Sequence, residues 1–337
     1  MSIRSQRKDD HVKLALEQGP FSNDFGLVRI VHQGLPNCNY DDIDPSIKLF
    51  DTTFGFPFYI NAMTGGSLKT METNRKLALI AKRFNLMMAV GSQHAALDES
   101  DLEPSFKIVR ETYPEGFIIG NVSANASLER AQRAVAMIDA NALGIHINVA
   151  QEITMDEGDR SFDHWETNIE SIVKGLSVPV IVKEVGFGMS NQTVSKLIDL
   201  GVENVDVSGR GGTNFIWIEN ERSQNKRFDY LVDWGISPVE SLLMNQNNAE
   251  NVNLLASGGV TTPLDVIKLL ILGAKAVGIS GYFLKAAQKE ESEMMLEVEN
   301  FLHEFKLIML MLGCKTIQDL ANCEIQLLER LYDRYEK

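Results

Sequence analysis

A lysine ends an apolar run, Val180-Ile181-Val182-Lys183, where an unpaired ammonium would be costly to enclose. Either Lys183 makes a structural ion pair with Glu184 or Glu152, or it supplies a fixed positive charge beside a group that becomes anionic. A second chemical signal lies at residues 254–281, where Leu254-Leu255-Ala256-Ser257-Gly258-Gly259 and Val277-Gly278-Ile279-Ser280-Gly281 each end an apolar run in a serine–glycine turn. Two such turns side by side expose backbone N–H groups that cradle a phosphate. The third signal is His146-Ile147-Asn148-Val149-Ala150-Gln151-Glu152, an imidazole, two amides and a carboxylate on one short stretch. A lone His146 would read as a core histidine, but Asn148 and Gln151 beside it favour a ligand role. Glu152 suits a divalent ion held by one carboxylate, substrate phosphates and water; the alternative is an exposed loop carboxylate. Asp156, Glu157 and Asp159 read as a solvated turn.

These groups meet only if the scaffold gathers strand ends on one rim. Strand-like runs recur at 57–61, 86–90, 117–121, 142–148, 179–183, 202–207, 253–256 and 275–279, with helical patterns between them. The last helix has Thr262 as N-cap, Pro263 at its first position, Asp265 against the dipole and Gly273 at its end. Asp163 to Glu166 and Ser237 to Glu240 have capping-box spacing, and Ser190 and Gly201 bracket a further helix. Eight strands alternating with helices indicate an α/β (β/α)8 TIM barrel rather than an open sheet, read as one domain over 1–337. The first strand's end, Asn61-Ala62-Met63-Thr64-Gly65-Gly66, lacks the dinucleotide-binding glycine spacing. Residues 1–35 form a charged, helix-compatible arm in which Arg7, Lys8 and His11 can share a face. The segment 209–235 is too long for an ordinary connection and reads as a lid or an oligomer contact, and residues 290–337 read as extra C-terminal helices outside the barrel.

Composition narrows the partners. With 32 Lys+Arg against 46 Asp+Glu the net charge is −14, which argues against nucleic acid or an anionic membrane. An anionic ligand then needs a local basic cluster or a metal. Cys38, Cys314 and Cys323 have no metal spacing and form no even disulfide set, and no apolar run reaches membrane length. The N-terminal stretch carries no signal-peptide apolar region, so a cytoplasmic protein is expected. On these terms a reduced flavin fits the rim: Lys183 would face its negative N1/O2 edge, and the glycine cradle would take its phosphate. Thr64, Ser92, Asn121, Ser208 and Thr213 would supply hydrogen bonds to the ring and ribityl chain.

Taken together, the motifs resemble the type 2, flavin-dependent isopentenyl diphosphate isomerases through nearly the whole chain. Those that carry the resemblance are Arg7-Lys8-Asp9-Asp10-His11, Asn61 to Gly66, Val90-Gly91-Ser92-Gln93, His146 to Glu152, Lys183-Glu184-Val185-Gly186-Phe187-Gly188, Asp206 to Thr213, and Ala256 to Gly259. The resemblance implies a barrel that binds FMN and Mg²⁺, with NADPH as reductant of the flavin, assembled as a homo-oligomer (tetramer or octamer), acting on a small-molecule diphosphate. It implies Ala62, Met63, Thr64, Ser92, Asn121, Lys183, Ser208, Thr213, Gly258, Gly259, Ser280 and Gly281 as FMN contacts. It further implies Arg7, Lys8, His11 and Gln151 on the substrate, His146, Asn148 and Gln151 at the reacting centre, and Glu152 on the metal. Where many relatives have arginine after Ser-Gln, this chain has His94, which implies a weaker or pH-dependent diphosphate contact; Asn214 stands where serine is common. The alternatives are an FMN-dependent 2-hydroxy-acid oxidoreductase and a non-catalytic flavin-binding barrel. The former group is similar in a His-Gly-Gly base motif after the sixth strand, where this chain has Arg210.

Overall fold

A computed structural model describes residues 3–19, 21–223, 225–328 and 331, with side chains from residue 9 onward. Eight parallel strands close into a barrel: Phe58–Ile60, Met88–Ala89, Ile118–Ser123, Ala142–His146, Val180–Lys183, Asn204–Asp206, Asn253–Ser257 and Val277–Ile279. Each strand pairs with its sequence neighbours, and the eighth closes on the first through Val277 opposite Phe58 and Ile279 opposite Ile60. The near-continuous apolar runs follow from burial of both strand faces. Ile118 packs outward against the helices while Ile119 points into the barrel, the alternation of a pleated strand.

Local signals place the helices as the capping pattern requires. Thr262 accepts from the Asp265 N–H and Ser237 from the Glu240 N–H, both in reciprocal capping boxes, with Pro263 and Pro238 opening their helices. Asp163 does not cap its helix: the helix runs Trp165–Gly175 from a His164 cap, and the Asp163 carboxylate accepts from the Ser161 hydroxyl. Two elements were not legible in the sequence. A hairpin, Ile47–Leu49 with Thr52–Phe54, seals the barrel end opposite the rim, its Phe54 ring standing edge-on to Phe117 at 5.4 Å. In addition, the C-terminal region is not helical throughout. After the helix Glu291–Met311, the strand Ile325–Leu327 pairs antiparallel with Val28–Ile30, so the end of the arm and the C-terminal segment share backbone hydrogen bonds.

The arm begins as the helix Ile3–Glu17. The Ser67 hydroxyl donates to Asp9 over 2.7 Å, and Gln18 Oε1 accepts from the Asn214 N–H over 3.1 Å. Asp24, almost fully buried, lies 3.6 Å from the Arg210 guanidinium. The arm thus docks across the rim and onto the segment 209–235, which itself contains the helix Phe215–Arg222.

Candidate active site

The C-terminal ends of the strands open on one cavity of about 1110 Å³. Small-molecule sites commonly enclose roughly 300–1,000 Å³, so there is room for a cofactor and a second molecule together. Ala62, Met63, Ser92, Asn121, Lys183, Ser208, Thr213, Gly258, Gly259, Ser280 and Gly281 line it, as do His11, His146, Asn148, Gln151 and Glu152. Thr64 is the exception among the expected cofactor contacts. Its hydroxyl is buried against the Asn74 side chain and its carbonyl accepts from the Gly91 N–H, so its side chain braces the first loop rather than the cavity. The side chains of Arg7 and Lys8 lie outside the described residues.

Lys183 stands at the end of the fifth strand, in register with Asp206 on the sixth. Its ammonium donates to the Glu184 carbonyl over 2.7 Å, not to Glu152. Enclosure lowers its pKa below the ordinary lysine value, against the opposing pull of the Asp206 and Glu184 carboxylates. Asp206 is fully buried and accepts from the Tyr59 hydroxyl at 2.7 Å, the Ser257 hydroxyl at 2.8 Å, Asn61 Nδ2 at 3.2 Å and the Ser208 N–H at 3.1 Å. That donor set keeps an anion beneath the lysine. Burial raises Tyr59 well above the usual phenol range, with the Asp206 charge adding to it, so Tyr59 stays a donor. Glu184 shows the opposite balance: burial pushes its carboxyl up to about 7, although the N–H groups of Phe187 and Gly186 donate to it and Lys183 lies near.

The fourth strand delivers the polar network. Asn121 Nδ2 donates to the Val90 carbonyl, leaving Oδ1 to accept from His146 Nδ1 over 2.9 Å; a neutral His146 therefore carries its proton on Nδ1. Asn148 Nδ2 donates to Gln151 Oε1 at 3.1 Å and to Glu152 Oε1 at 2.9 Å, while its own Oδ1 is buried without a protein partner among the described residues. Glu152 Oε2 accepts from the Asp159 N–H at 2.9 Å, which brings the turn read as merely solvated against the carboxylate, and both Glu157 and Asp159 line the cavity.

Glu219 completes this network and was not singled out from the sequence. It is nearly fully buried, accepts from Gln151 Nε2 over 2.9 Å, lies 2.9 Å from His11 Nε2 and pairs with Arg222. Burial alone would raise its carboxyl, but His11, Gln151 and Arg222 outweigh it and hold the pKa down at about 2. A carboxylate in a helix reading Phe-Ile-Trp-Ile-Glu-Asn has no local signal beyond its apolar neighbours; only the docking of that helix on the Gln151 helix reveals it.

Gly258 explains why the cradle is made of glycine. Its φ is +109° and an added Cβ would lie 1.9 Å from the Gly209 carbonyl, so the seventh turn nests against the sixth. The backbone approach that results leaves N–H groups near the cavity wall, as anion binding requires.

Comparison with known proteins identifies this geometry. A family model described as FMN-dependent dehydrogenase matches residues 110–327. The isopentenyl-diphosphate delta-isomerase of Staphylococcus haemolyticus is 49% identical over 319 residues, covering 94% of this chain and 91% of that protein. That of Latilactobacillus sakei is 49% identical over 327 residues, covering 95% and 93%. The chain belongs to the type 2 isopentenyl-diphosphate delta-isomerases. Among solved structures, a flavocytochrome b2 variant superposes with TM-score 0.70 at 18% identity, covering 94% of this chain and 83% of that one. A mandelate oxidase variant gives 0.69 at 15%, covering 96% and 97%. These two share the TIM-barrel fold. The isomerase is FMN-dependent, and the cavity fits that cofactor by its volume, its glycine cradle and its enclosed lysine.

His94 lines the same cavity. Its Nε2 accepts the Ser123 N–H at 3.0 Å, which requires a lone pair there. Arg130 Nη2 lies 3.4 Å from Nδ1 and pairs with Asp98 at 2.8 Å.

Proposed function

We propose that this isomerase interconverts isopentenyl and dimethylallyl diphosphate in isoprenoid biosynthesis, using reduced FMN and Mg²⁺. The observation that carries the reading is one cavity holding the glycine cradle, the enclosed Lys183 and the His146–Glu152 stretch. When bound, the reduced flavin supplies the proton donor and acceptor that move the double bond. Lys183 holds positive charge against the flavin, backed by Asp206; Ala62, Met63, Ser92, Asn121, Ser208 and Thr213 frame it, and Gly258, Gly259, Ser280 and Gly281 take its phosphate.

His146, oriented by Asn121, and Asn148, whose buried Oδ1 has no partner among the described residues, face the substrate. Gln151 is fixed at both ends of its amide, by Asn148 and by Glu219, so it positions rather than titrates. Each Glu152 oxygen accepts one N–H, which leaves lone pairs for Mg²⁺ with the diphosphate and water completing its shell. His11, with Arg7 and Lys8 on the same helix, closes the diphosphate end and draws the arm to Glu219.

NADPH is the proposed reductant. A cytoplasmic tetramer or octamer is the proposed assembly, with Tyr230 and Trp234, exposed on the outer side of 209–235, as its contact. Among the described residues no helix is long and apolar enough to cross a membrane. The hydroxy-acid reading lacks its base, because Arg210 pairs with Asp24 and does not line the cavity.

The test is anaerobic: protein, FMN, dithionite, Mg²⁺ and isopentenyl diphosphate, scored for acid-labile allylic product against an oxidised control. Product in the reduced sample alone supports the reading. No product from a protein shown spectroscopically to hold reduced FMN refutes it.

A further inference from the structure

A phosphate dianion bound by a protein of net charge −14 needs a cation close to it, and glycine N–H groups supply only partial charge. Two described lysines line the cavity, Lys183 and Lys285, and no described arginine does. Lys183 is committed at the end of the fifth strand, to the Glu184 carbonyl and the Asp206 charge. Lys285 sits in the short helix Gly281–Ala286 that starts directly after the eighth strand's turn.

Position explains what Lys285 can reach. It lies four residues after Gly281, hence one turn above it on the same helix face. Helical side chains lean toward the N-terminus of their helix, so its stem inclines back over Gly281. An added Cβ at Gly281 would meet nothing within 4 Å, so the space toward which Lys285 leans is open. Gly258, Gly259, Ser280 and Gly281 border the same cavity. Among the described residues the Lys285 ammonium has no hydrogen-bond or ion-pair partner, although Lys289, four residues on, pairs with both Glu293 and Glu297.

We infer that Lys285 is the phosphate-reading cation of the cradle, giving this chain its preference for a phosphorylated flavin over an unphosphorylated one. The inference rests on the FMN reading above and adds a residue that the motifs did not supply. The glycine turns hold the phosphate by hydrogen bonds; Lys285, reaching across the space left by Gly281, neutralises it. Because the lysine is exposed, solvent moderates its contribution to roughly tenfold in affinity.

The experiment is equilibrium binding of FMN and of riboflavin, followed by flavin fluorescence, to the apo full-length chain, its Lys285→Gln variant and its Lys285→Arg variant. Expected is a roughly tenfold weaker FMN affinity in Lys285→Gln with riboflavin affinity unchanged, retention of the preference in Lys285→Arg, and a smaller salt dependence of FMN binding in Lys285→Gln. An unchanged FMN-to-riboflavin ratio in Lys285→Gln overturns the inference. So does equal weakening of both flavins, which would mark a structural role. Wild-type protein that binds neither flavin overturns the FMN reading as well, and is thereby told apart from a failure of Lys285 alone.

Discussion

Replacing Glu219 by glutamine tests whether the buried carboxylate holds the arm and the Gln151 helix together. The side chain keeps its size but loses the charge that His11 and Arg222 face. Its carboxyl titrates at about 2 in the folded protein against 4.5 for a free side chain, a gap worth roughly 3 kcal/mol at neutral pH. Since the folded value is depressed, that stability is present above pH 4.5 and is lost as pH falls toward 2. Urea unfolding of flavin-free wild type and Glu219→Gln, at pH 7 and pH 3, reads the difference directly. The variant should be less stable by roughly 2–3 kcal/mol at pH 7, and by only about 1 kcal/mol at pH 3. Equal losses at the two pH values would refute the charge argument and reduce Glu219 to a packing residue. A loss of activity at saturating flavin should accompany the change, because Gln151 loses its charged acceptor, while FMN affinity stays near wild type since Glu219 does not line the cavity.

Lys183→Ala should weaken reduced FMN more than oxidised FMN, by roughly tenfold, measured by anaerobic and aerobic titration; equal losses would remove its charge role. Glu152→Gln should raise the Mg²⁺ concentration needed for half-maximal turnover while leaving flavin affinity nearly unchanged, and an unaltered Mg²⁺ dependence would place the metal elsewhere. Glu184 has a folded pKa of about 7, raised from 4.5, so its ionisation opposes folding, and its effect on stability declines as pH rises between those values. Glu184→Gln should therefore gain on wild type by roughly 3 kcal/mol between pH 4 and pH 8 in the same unfolding assay. A constant difference across that range would mean the carboxyl is not raised.

The barrel was legible because parallel strands buried on both faces leave long apolar runs, and because Thr262, Ser190 and Ser237 announce their helices through capping chemistry. The rim was legible for the same reason that barrels are catalytic: strand ends converge, so polar residues following apolar runs share a destination. What escaped were contacts made between distant elements. Glu219 acquires its role only through His11, 208 positions earlier in the chain, and Gln151, 68 earlier. The Thr64 side chain turns to Asn74 while the same loop presents Ala62 and Met63 to the cavity, a difference of backbone course that residue type does not encode. Asp163 failed as a cap because Ser161 and His164 competed for its carboxylate.

After the sixth strand this chain has Arg210, whose guanidinium faces Asp24 of the arm connection, and the neighbouring Gly211 approaches Asn23 so closely that an added Cβ would lie 2.6 Å from its side chain. Arg210 does not line the cavity and instead docks the arm. It anchors the segment that carries His11, which lines the cavity. Glu219 likewise meets the arm, through His11. Arm and segment therefore meet at several points, among them Asp24 with Arg210, Gln18 with Asn214 and His11 with Glu219, each with one partner on the 209–235 segment. That segment lines the cavity through Thr213 and Phe215 and is also the surface on which the arm docks.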